Sequence, residues 1–131
     1  GKRPYHTIIP GFVTRAGANG RHVPSMAYGV MGGFMQPQGH AQVLSRIADW
    51  SQNPQASLDA PRWRVREGLN VDIEPGLPDS TYEALRDLGH ELRVVDERGA
   101  SFGRGQVIHR LEDGGYVAAS DLRADGQAVG F

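Results

Sequence analysis

Apolar residues recur along the chain with two different periods, and each change of period marks an element. In TIIPGFVTR (7–15) β-branched and aromatic residues crowd together while Pro10 and Gly11 interrupt them, which predicts a strand in an irregular or edge position. AGANGRH is turn material, and SMAYGVMGG (25–33) reads as a buried strand that ends at a glycine pair. Val43, Leu44, Ile47 and Trp50 then follow the i, i+3, i+4, i+7 spacing of one helical face, predicting a first helix over about 39–51 that Asn53-Pro54 ends. ASLDAPR reads as a short turn of helix stopped by Pro61.

Alternation returns in WRVRE and LNVDIE, two strands joined around Gly68. LPDSTYEALRDLGH carries the clearest helical pattern: Asp79 or Ser80 as cap, Tyr82, Leu85 and Leu88 as the buried stripe, Gly89 as terminator. ELRVVDE follows as a strand. In GQVIHRLEDGGYVAASDLR, residues 106–111 and 116–119 flank Glu112-Asp113-Gly114-Gly115 as a hairpin. The order β-β-α-β-β-α-β-β-β predicts an α/β (α+β) single domain over residues 1–131 with a mainly antiparallel sheet. A Rossmann unit is not expected, because no GxGxxG stands between a strand and a helix and GASFGRGQ (99–106) lacks that context.

Composition narrows the chemistry. With 131 residues, 39% of them hydrophobic and 22% charged, the chain has the length and balance of one globular domain. A formal charge of -1 gives no basic field for nucleic acid or an anionic membrane, and no apolar run approaches the ~20 residues that span a bilayer. The absence of cysteine excludes disulfides, thiolate zinc sites and cysteine nucleophiles in this chain. His6, His22, His40, His90 and His109 fit no metal-ligand spacing, and HExxH and G-x-S-x-G are absent. His22, His40, His90 and His109 read as structural. Glu83 and Asp87 read as a solvated helix face, and Asp121 with Arg123 as a pair that pins a loop.

The glycine pair in MGGFMQPQGHAQVL (31–44) stands out. Consecutive glycines at a strand end ahead of a helix let two backbone N–H groups face one concavity, a geometry that suits a developing oxyanion. The alternative is a sharp strand-to-helix corner, and the pair by itself favours that simpler reading.

MGGFMQPQGHAQVL resembles the glycine-pair segment of the γ-glutamyltranspeptidase family of N-terminal-nucleophile hydrolases. RPYHTIIP is similar to that family's substrate loop, SLDAPRWRV to its AxxAPR segment, YEALRDLGHEL to its LxxxGH helix and AASDLRADGQAVGF to its C-terminal ending. These pieces fall in the family's order along nearly the whole chain. The resemblance implies an αββα sandwich of which this chain is part. It also implies a self-cleaving precursor whose small subunit begins with a threonine nucleophile, and an acyl-enzyme formed from a γ-glutamyl or related amide without metal or organic cofactor.

On that resemblance Gly32 and Gly33 are the oxyanion-hole residues, and His6 and Thr7 stand where typical transpeptidases carry a Ser-Ser pair that binds substrate. His6 changes the shape and charge available there and points to a non-glutamyl amide as the alternative substrate class, such as a cephalosporin side chain or oxamate. Leu122 replaces the family's usual proline. Residue 1 is Gly, so this chain is expected to be the C-terminal portion of a small subunit, inactive alone. Its expected partners are the remainder of the small subunit, the large subunit and a small-molecule amide. A different class of answer is a non-catalytic association domain, with open strand edges that pair two copies of the chain.

Overall fold

A computed structural model describes residues 1–4, 7–96 and 100–130. A four-stranded antiparallel sheet is built from β1 (Gly11–Ala16), β2 (His22–Met31), β6 (Arg104–Arg110) and β7 (Tyr116–Ser120), in the order β1-β2-β6-β7. A second sheet of order β3-β4-β5 contains β3 (Trp63–Glu67), β4 (Asn70–Ile73) and β5 (Glu91–Val94). Its β3–β4 pair is antiparallel and its β4–β5 pair parallel, with α3 (Asp79–Asp87) as the crossover. The mixed architecture agrees with the α/β expectation, now divided over two sheets.

Alternation decides which face of the larger sheet is covered. Met26, Val30, Val107 and Ala119 point to one side, where they meet Val43 of α1 (Met35–Ala48) and Leu58 of α2 (Pro54–Asp59) to form the core. The opposite face is open. There Phe12, Ala27, Ile108 and Ala118 lie side by side across all four strands, and Phe12 is 65% and Ile108 53% exposed.

Helix α1 starts at Met35, four residues before the position its apolar stripe suggests. Pro37 fits because it falls in the first turn, where backbone N–H groups have no partner within the helix. The preceding corner supplies partners instead: Met35 N–H donates to the Gly32 carbonyl and Gln36 N–H to the Gly33 carbonyl, at 3.1 and 3.0 Å. The helix also ends early, at Ala48, leaving Trp50 75% exposed beyond it rather than on its buried face. Asn53 and Pro54, expected to end that helix, open the next one, with the Asn53 carboxamide accepting from Gln55 N–H at 2.9 Å. On α3 neither Asp79 nor Ser80 makes a side-chain cap, and the apolar stripe reduces mainly to Tyr82, with Leu85 half-buried and Leu88 73% exposed. Gly89 ends this helix as expected, at φ 91°.

Two charge clusters tie the elements together, one buried and one in which partly exposed arginines converge on the buried Asp72. Arg62 and Asp121 are both fully buried and meet at 2.6 Å; Arg123 donates to Asp121 at 3.1 Å and bonds Glu74 through Nε and Nη2. Burial raises the Asp121 carboxyl, but the Arg62 charge and the N–H groups of Arg123 and Gly105 outweigh it and hold the group below its ordinary value. In the smaller sheet Asp72 accepts from Arg64 at 2.6 Å and from Arg93 at 2.7 and 2.9 Å. The expected Asp121–Arg123 pair is therefore one edge of a larger network joining α2, the β3–β4 hairpin and β6 to the C-terminal loop.

Candidate active site

Strand β2 runs out at Met31, and the next two residues turn the chain sharply into α1 with φ values of 131° at Gly32 and 61° at Gly33. Both values lie in the region that glycine tolerates and L side chains rarely adopt. The carbonyls of the pair point into the helix and receive its first N–H groups. The N–H groups of the pair point elsewhere, and neither is hydrogen-bonded among the described residues. They sit beside the N-terminus of a 14-residue helix, whose dipole adds positive potential at that end.

The pair borders an open groove of about 720 Å³ whose described lining is Thr7, Ile8 and Ile9 on one bank and Met31–Phe34, Gln36 and Pro37 on the other. No charged side chain belongs to this described lining. Thr7, identified from the sequence, and the two glycines are thus brought to one cavity. His6 lies outside the described residues.

Gln36 connects the two banks. Its side chain is buried, donates Nε2 to the Thr7 carbonyl at 2.6 Å and accepts from Ile9 N–H through Oε1 at 3.2 Å. Gln36 is not among the residues the sequence singles out, because its amide is buried through a helix that begins four residues before the apolar stripe suggests.

His40 packs beneath the same corner. Its Nε2 accepts from Val30 N–H at 3.0 Å and its ring lies 5.1 Å from that of Tyr28. Burial pushes its pKa down, which favours the neutral ring that this acceptor role requires. It lies in the second turn of α1, with its Nε2 engaged by the backbone of β2. His22 lies 3.3 Å from the Thr14 hydroxyl through Nδ1, far from the groove, and Glu83 and Asp87 are exposed on α3. Among the described residues no group of three His, Asp or Glu side chains converges to hold a metal ion.

Comparison with known proteins gives this geometry a context. The family profile described as Gamma-glutamyltranspeptidase matches residues 1–131. The glutathione hydrolase-like YwrD proenzyme of Bacillus subtilis is 34% identical over 99% of this chain, and the oxamate amidohydrolase proenzyme of Klebsiella pneumoniae is 31% identical over 100% of it. The match covers 25% of either relative, so the chain spans about a quarter of their length. Among solved structures, the cephalosporin acylase of Bacillus halodurans superposes with a TM-score of 0.82 at 48% identity, over 94% of this chain and 22% of that one. The γ-glutamyltranspeptidase of Pseudomonas nitroreducens shares the fold at 23% identity and a TM-score of 0.79, over 100% of this chain and 65% of that one. Fold, order of segments and the match over the full chain agree: the chain belongs to the γ-glutamyltranspeptidase family, whose hydrolases and transferases share the N-terminal-nucleophile fold.

Proposed function

We propose that this chain is the C-terminal part of the small subunit of an amidohydrolase or acyltransferase, and that it supplies the oxyanion hole and one wall of the acyl pocket. In this reading a threonine at the start of the small subunit, outside this chain, attacks the amide carbon. Its own α-amine takes the hydroxyl proton and passes it to the leaving amine. The carbonyl oxygen becomes an oxyanion against the N–H groups of Gly32 and Gly33, and collapse of the tetrahedral intermediate expels the amine and leaves an acyl-enzyme. Water, or a second amine, then releases the acyl group. The observation that carries this reading is the pair of N–H groups without a partner among the described residues, fixed by positive φ at a helix N-terminus, on the border of a groove lined by Thr7–Ile9.

The apolar side chains of Ile8, Ile9, Met31, Phe34 and Pro37 in the described lining support an acyl group less polar than γ-glutamyl, in line with the 48% identity to a cephalosporin acylase. The parent's other segments are also the proposed cover for the open face around Phe12 and Ile108. In this reading activity requires the other segments of the parent, since the chain spans about a quarter of its relatives.

The test is the intact mass and N-terminal sequence of the full gene product after purification and standing. Two chains, the smaller beginning with Thr and containing the present sequence, are the expected result. A single uncut chain that hydrolyses no acyl anilide would leave the alternative, an association domain that pairs through its strand edges.

A further inference from the structure

We infer that Gln36 is a positioning residue that sets which acyl groups the groove accepts, by fixing the 7–9 segment at a set distance from the glycine pair; this rests on the function proposed above. Segment 7–10 precedes β1 and is exposed, with Ile8 69% exposed. Among the described residues its hydrogen bonds are the two to the Gln36 amide, one from Ile9 N–H and one to the Thr7 carbonyl. Space lies on both sides of it. The groove at Gly32 and Gly33 is on one side, and a hollow of about 590 Å³ lined by Pro10, Tyr28, Val30 and His40 is on the other. The segment is therefore a thin wall between two cavities, and Gln36, which borders both, is its anchor.

The anchor is tied to the oxyanion corner by covalent sequence. Gln36 N–H donates to the Gly33 carbonyl, and only Phe34 and Met35 separate the two residues along the chain. One residue thus holds the turn with its backbone and the opposite bank with its side chain. A primary amide suits this task because it presents a donor and an acceptor side by side, as a neighbouring strand does. Among the described residues the same device occurs three more times. Gln38 pairs with both backbone groups of Val65, Gln42 with both of Trp63 and Gln55 with both of Ser120. Those three brace sheet strands. Gln36 braces the segment that borders the reacting centre.

The experiment uses the full gene product with Gln36→Met, which keeps the volume and removes both bonds, beside Gln55→Met, which removes the equivalent clamp from β7. One readout is kcat/KM over a series of acetyl, hexanoyl and γ-glutamyl p-nitroanilides. The other is amide hydrogen exchange at Ile9. Misplacement of a binding group by about 1 Å costs on the order of 10²-fold in rate. In Gln36→Met the spread of kcat/KM between the best and poorest acyl groups therefore narrows by about tenfold or more, while Gln55→Met keeps the wild-type spread. Exchange at Ile9 speeds up in Gln36→Met alone. An unchanged spread, or one narrowed equally by Gln55→Met, overturns the selectivity role; unchanged exchange at Ile9 overturns the clamp. Failure of the wild-type protein to cleave any of the anilides overturns the selectivity role, while the intact-mass test decides the proposed function and the exchange result decides separately whether Gln36 holds the wall.

Discussion

Asp121 shows how much a single carboxylate can hold in place. It accepts from Arg62, from Arg123 and from the backbone N–H of Gly105, all within a region closed to water. Asp121→Asn keeps the shape but removes the charge that balances Arg62 and turns one acceptor into a donor. Breaking one side of a buried ion pair costs about 3–5 kcal/mol, so the urea midpoint of the protein is expected to fall with an unchanged slope. Because the folded-state pKa of Asp121 is depressed, its contribution is present above the ordinary carboxylate range and is lost as pH falls through the folded value. His40 gives the opposite case in the neutral range. Its folded pKa lies below the ordinary histidine value, so the unfolded chain binds the proton more readily. The stability it contributes is complete above about pH 6.5 and declines as pH falls towards the lowered folded value. His40→Gln can still accept from Val30 N–H and does not titrate. Thermal melts between pH 5 and 7.5 are expected to show a shallower slope in that variant than in the wild type; identical slopes would mean the ring is not neutral for this reason.

At the scale of elements, what the sequence made legible was whatever depends on nearest neighbours. The β6–β7 hairpin follows from Asp113-Gly114 between alternating runs, and its turn closes with Gly115 N–H on the Asp113 carboxylate at 2.8 Å. The corner at Gly32-Gly33 was legible for the same reason, since backbone freedom is written in the residue type. The start of α1 was not, because Pro37 and Gly39 look like breakers until the first-turn exception and tertiary packing are known. Nor could alternation reveal that Arg62 and Glu74 leave their strands' ends to meet Arg123 and Asp121, since partners 49 or 59 residues apart carry no local signal. Gly39 shows packing overriding propensity. Alanine is the better helix former by about 1 kcal/mol, yet a Cβ there would lie 2.7 Å from Val30 Cγ1 and 3.0 Å from its Cβ. Overpacking of this kind costs about 1–3 kcal/mol, so Gly39→Ala is expected to destabilise the protein. Combining it with Val30→Ala should give a loss smaller than the sum of the two single losses. Additive losses in that cycle would show that α1 does not contact β2 through this pair.

For the whole molecule the question is what covers the open side of the four-stranded sheet. A sheet that buried only one face would carry polar residues on the other, yet here a cross-strand row contains Phe12, Ala27, Ile108 and Ala118. The chain spans about a quarter of its relatives, so a further layer from the parent is the proposed cover. A charge placed in that row tests this directly. If Ile108 is buried in the parent, Ile108→Asp brings an unpaired carboxylate into an apolar layer at a cost of several kcal/mol, large against the 5–15 kcal/mol that stabilise a typical domain. The melting temperature of the parent should then fall by many degrees, and its chains should separate on gel filtration. Ala18→Asp, in the exposed turn between β1 and β2, is the matched control and should change stability by no more than about 0.5 kcal/mol. If Ile108→Asp proved equally mild, the apolar row would be a solvent-facing surface in the parent. The stacking of a second sheet on this face, as in the αββα sandwich implied by the family resemblance, would then not apply to this protein.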